Sequence, residues 1–131
     1  MMDISLLVLR LGIGIMFAAH GLQKAFGMFG GSGVQEFSKM LGGMGFPAPI
    51  MWAYLAAYVE LLGGIALVFG IFPRLSSGLL LILIVVAAVK VHMKNGFFMM
   101  SGGFEYNFVI ASVCIALLVA GAGKFSIYNK Y

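Results

Sequence analysis

The sequence predicts an all-α integral membrane fold, an antiparallel bundle of four transmembrane helices, on three observations. Hydrophobic residues fill 63% of the 131 positions and charged residues 9%, and the mean hydropathy of +1.10 is well above that of a soluble domain. Apolar runs follow one another along almost the whole chain, and spanning a bilayer takes about 20 such residues, within a range of about 17 to 25. The ionisable residues of the first run share one helical face. One domain over residues 1–131 is expected, with spans at about 4–27, 50–72, 75–93 and 105–122.

In the first span, a rotation of about 100° per residue puts Arg10, Gly14, Phe17, His20, Gly21 and Lys24 within an arc of about 120°. Small residues let helices approach closely and polar ones hold them together, so this face should point into the bundle. A plainer reading has Arg10 and Lys24 snorkelling to the two interfaces. The run is too long for a removable signal peptide and has Arg10 inside it, so a retained span is expected.

Between glycine-rich breakers, VQEFSKML places Val34, Phe37 and Leu41 at i, i+3 and i+7. A short amphipathic helix on the membrane surface fits this spacing, the alternative being a solvated connector.

The second span carries Glu60 about ten residues in, with Ala53, Ala56, Ala57, Gly63 and Gly64 on the same face. An ionisable group at a helix centre in the membrane costs about 2.5 kcal/mol or more, so Glu60 marks either a site or a hydrogen bond tying two helices.

Phe72-Pro73-Arg74 turns the chain into the third span, which ends VKVHMKNGFF. Lys90 and His92 lie about 200° apart on an ideal helix, so His92 facing inward leaves Lys90 to snorkel. Phe104-Glu105-Tyr106-Asn107 opens the fourth span, and the exit GAGKFSIYNKY offers Tyr128 and Tyr131 as interface anchors.

An even number of spans brings His20, Lys24, Glu60, His92, Asn95, Glu105 and Asn107 into one half of the bundle. Arg74, Lys124 and Lys130 on one side balance Lys39, Lys90 and Lys94 on the other, so charge does not orient the chain. Cys114 is the sole cysteine, which rules out an intrachain disulfide and Cys-x-x-Cys chemistry. No basic block is present, so nucleic acid is not an expected partner; the net charge of +4 suits anionic lipid headgroups of the surrounding bilayer.

The segments LRLGIGIMFAAHGLQKAFG, GFPAP, YVELLGG, FPR, VHMKNGFF, GGFEYNF and GAGKFS, in this order, resemble the DoxX family of small four-helix bacterial membrane proteins. The resemblance implies a multi-pass protein of the bacterial inner membrane, in a wider group that includes the small subunit of thiosulfate:quinone oxidoreductase and is associated with redox or sulfur-stress functions. The motif positions correspond to His20, Lys24, Glu60, His92, Asn95, Glu105 and Asn107.

The sequence is compatible with three functions. In the first, the chain is the membrane subunit of an oxidoreductase and a half-membrane polar cavity binds a quinone or similar small redox molecule. His20 and Glu60 would act as the catalytic proton-exchanging pair, with Lys24, His92, Asn95, Glu105 and Asn107 binding the ligand. Without a flavin or metal motif of its own, the chain would take electrons from a soluble redox partner. In the second, the bundle is a non-catalytic scaffold or small-molecule carrier. A third, a metal site at His20, His92, Glu60 and Glu105, lacks the Glu-x-x-His pairs of di-iron bundles, so no metal is expected. A bundle with so little extramembrane mass is also expected to form a homo-oligomer or dock on a larger subunit.

Overall fold

A computed structural model describes residues 1–130, which leaves Tyr131 and its expected anchoring role outside the described residues. The chain forms five α-helices and no named strand among those residues: α1 (Met2–Phe26), α2 (Gly33–Gly43), α3 (Pro49–Phe69), α4 (Pro73–Ala87) and α5 (Glu105–Ala120). α1, α3 and the helical stretch Pro73–Asn95 are long and apolar enough to cross a membrane, and α5 is a shorter apolar helix. The chain is a multi-pass membrane protein.

The helix bounds follow local chemistry. Pro49 and Pro73 start α3 and α4, where a missing N–H costs nothing and the fixed φ already suits a helix. α4 does not run unbroken to Met93. It passes into a π-helical turn at Ala88–His92 and a short 3-10 turn at Met93–Asn95, and this change of pitch makes the ideal 100° arithmetic inexact for His92.

The packing is organised by the close approach of α1 to α3. Gly14, Gly21 and Gly64 are all buried, and a methyl group on Gly64 would sit 2.5 Å from the Ala18 nitrogen and 2.6 Å from the Gly14 oxygen. The register sets Gly64 against Gly14 and Ala18, and Gly21 against the Leu61 backbone. The main core fills the space where α1, α3, α4 and α5 meet, around Phe17, Leu67, Leu80, Cys114 and Leu117. α2 is a helix, as its spacing indicated, and lays Phe37 and Leu41 on Ala53 of α3.

Arg10 does not snorkel. It is 1% exposed and donates from Nη1 to the Ala122 carbonyl at 2.9 Å and from Nη2 to the Phe125 carbonyl at 2.7 Å. These bonds pin the segment after α5, whose Ile127 and Tyr128 nitrogens then bond the Phe69 and Gly70 carbonyls at 3.0 and 3.1 Å. Gly70 makes this possible: its φ is +68°, and a methyl group there would lie 2.5 Å from Ser126 Cβ and 2.6 Å from Arg10 Nη1. Tyr128 also packs edge-on against Phe72 at 5.3 Å. Bonds to a charged donor are each worth about 1.5 to 3 kcal/mol. Arg10→Leu is therefore expected to free residues 121–128 at a net cost of about 2 kcal/mol, read as faster amide exchange confined to that segment; unchanged protection there would show that the tail is held by other means.

Candidate functional site

α1 and α3 together build the site. Their glycine-mediated approach puts Lys24, in the last turn of α1, beside Glu60 in the middle of α3, with Nζ 2.5 Å from Oε1. The Glu60 side chain is 4% exposed and that of Lys24 27%. The ammonium also lies 4.9 Å from the centre of the Phe37 ring, so α2 covers the pair with an aromatic face that favours the cation. Glu60 Oε2 is buried and has no hydrogen-bond partner among the described residues.

A cavity of about 170 Å³, open on one side, lies against this pair. Phe17, His20, Lys24 and Glu60 form its α1 and α3 walls. Ile84 and His92 come from α4 and its π turn, and Tyr106 and Asn107 from the first turn of α5. Asn107, 3% exposed, donates from Nδ2 to the Ile84 carbonyl at 3.3 Å, and its Oδ1 is left buried without a partner. His20 lines the cavity and is exposed, and its Nε2 lies 3.5 Å from the Tyr106 hydroxyl. That hydroxyl also meets Met16 Sδ.

Five of the seven residues expected from the sequence, His20, Lys24, Glu60, His92 and Asn107, thus share one cavity. Asn95 and Glu105 are not brought to its wall. Asn95 Nδ2 donates to the Gly102 carbonyl at 3.3 Å, and Glu105 Oε2 accepts from the Met99 N–H at 2.9 Å. Both brace the loop between α4 and α5, which is tight enough for the Phe104 and Glu105 nitrogens to bond Gly96 and Phe97 carbonyls at 3.0 and 2.7 Å. His92 belongs to both settings, since Nδ1 lies 3.0 Å from the same Gly102 carbonyl. Lys90 points outward, 5.9 Å from the Phe46 ring.

Tyr106 and Phe17 are wall residues that the sequence did not single out as ligand contacts. A tyrosine at a helix mouth reads as an interface anchor, and a phenylalanine in an apolar run as core. The usable signal was position: Tyr106 adjoins Asn107, and Phe17 lies one turn before His20 on the polar face of α1.

A family model described as DoxX matches residues 5–93, which takes in His20, Lys24, Glu60 and His92 and stops before α5. A protein of Bacillus subtilis (strain 168) named "Putative oxidoreductase CatD" is 35% identical over 115 residues, or 88% of this chain and 79% of that protein. An uncharacterized protein of Haemophilus influenzae is 31% identical over 124 residues, or 95% of this chain and 81% of that protein. No solved structure matches the chain. The extent of the family match, together with these two relatives, places this chain in the DoxX family.

Proposed function

We propose that the chain is the membrane subunit of a bacterial inner-membrane oxidoreductase that binds the ring of a quinone in the cavity and takes electrons from a soluble partner. α5, about 24 Å long from its 16 residues, would be the fourth of four antiparallel spans. The observation that carries the reading is a part-buried ion pair, Lys24 with the buried Glu60, whose second carboxylate oxygen is unmatched beside a cavity of about 170 Å³. A cavity of about 150 Å³ admits a benzene ring, so a quinone ring fits and its tail leaves through the open side. The relative named as an oxidoreductase supports a redox role.

A bound quinone would supply a two-electron, two-proton couple. The chain's own residues would position and protonate it. Phe17 and Tyr106 offer aromatic faces to a ring. Lys24 presents a positive charge to a ring oxygen, which favours negative charge there. Glu60 and His20 exchange protons, with the exposed His20 as the link to solvent. Asn95 and Glu105 act indirectly, by holding the loop that positions His92.

Titration of the detergent-purified chain with a short-tailed quinone, in either redox form, is expected to show one site per chain. Ala87 lines the cavity and is only half-buried, so Ala87→Phe should fill the space, keep the helical content and lower affinity by at least about tenfold. Absence of binding by the unaltered chain in both redox forms would turn the reading toward the scaffold or carrier.

A further inference from the structure

Two buried side-chain oxygens of residues that line the cavity, Glu60 Oε2 and Asn107 Oδ1, have no partner among the described residues, and their identity as acceptors is chemically determined. Asn107 Nδ2 faces the Ile84 carbonyl; because a carbonyl only accepts, the amide nitrogen must lie there and the oxygen is the atom left over. Lys24 holds Glu60 Oε1, and an ionised carboxylate has no proton to donate, so Oε2 is an acceptor too. His92 Nδ1 likewise must donate to the Gly102 carbonyl, which takes that N–H away from the cavity. The Tyr106 hydroxyl is turned toward Met16 Sδ, which takes one donor away from the cavity. The Lys24 ammonium and a ring N–H of His20 are the donors that remain on the wall. They do not discriminate between ligand oxygens, since carbonyl and hydroxyl oxygens both accept from an N–H.

A buried acceptor without a donor keeps its full desolvation cost, which a ligand removes only by bringing a hydrogen. A ring with two hydroxyl groups brings them. The same ring with two carbonyls sets lone pairs against lone pairs. Resting on the quinone reading above, we propose that this cavity selects the reduced dihydroxy form of its ring over the oxidised dicarbonyl form, through donation to Glu60 Oε2 and Asn107 Oδ1. Tighter binding of the reduced form makes the bound ring a better electron acceptor, by about 30 mV for each tenfold of selectivity in a two-electron couple.

The test is anaerobic calorimetric titration of the detergent-purified full chain with duroquinone and with durohydroquinone. The hydroquinone is expected to bind at least about tenfold more tightly. In Glu60→Gln, Lys24 retains an amide oxygen and an NH2 group takes the place of Oε2, so an acceptor becomes a donor of the same shape. The preference should then fall to about unity or reverse. Asn107→Leu, checked for helical content first, should reduce the preference without reversing it. Equal binding of the two forms, tighter binding of the quinone, or an unchanged ratio in Glu60→Gln overturns the selectivity while leaving the quinone reading in place. Binding of neither form overturns both.

Discussion

Lys24→Met is expected to lower stability by about 3 to 5 kcal/mol, the range for removing one partner of a buried ion pair. The asymmetry of the pair makes this the worse of the two single losses. Glu60 is 3% exposed, and without Lys24 it would be a carboxylate with neither oxygen bonded. Glu60→Ala instead leaves Lys24, whose side chain is 27% exposed and long enough to swing toward the interface, so about 1 to 2 kcal/mol is expected. Replacing both, as Lys24→Met with Glu60→Leu, should recover most of the loss, because an apolar pair of similar volume needs no compensation. Thermal unfolding of the three variants in one detergent decides the matter. Equal losses for the two single variants, or a double variant as unstable as Lys24→Met, would mean that the pair does not carry the charge of the site as described.

Gly64→Ala is the second large effect, at about 3 kcal/mol, toward the upper end for overpacking a close-packed interface. The added methyl would meet backbone atoms of Ala18 and Gly14 at 2.5 and 2.6 Å, and backbone cannot step aside as a flexible side chain does. The helices must part instead, which also draws Lys24 away from Glu60 and opens the cavity wall. Gly12→Ala is the matched control. It lies on α1 with nothing within 4 Å of the added methyl, so the gain in helix propensity, about 1 kcal/mol, should appear uncancelled. Opposite signs for the two glycines in one unfolding assay support the register of α1 on α3 described above; equal effects would refute it.

Legibility of the site in the sequence depended on chemistry. Charged residues in apolar runs are expensive enough to be conspicuous, and so Lys24 and Glu60 stood out, as did the helical face that carries Arg10, His20 and Lys24. Asn95 and Glu105 were as polar and on the same side of the bundle, yet the loop between α4 and α5 draws both into its own hydrogen bonds. That outcome turns on a tight backbone path around Gly96 to Gly103, where backbone and side-chain partners lie within a few residues and compete with the cavity.

The sequence by itself determined the membrane class, the helical segments and which residues are too polar to be idle there, because transfer costs and helical periodicity act locally along the chain. The tertiary structure decided the rest. It set Gly64 against Gly14 and Ala18, turned Arg10 inward to the carbonyls of Ala122 and Phe125, and brought Tyr106 and Phe17 to the cavity wall. Each of these depends on how side chains from different helices interlock, and a shift of one helix along another by a single turn, about 5.4 Å, would change every partner while leaving the hydropathy pattern untouched.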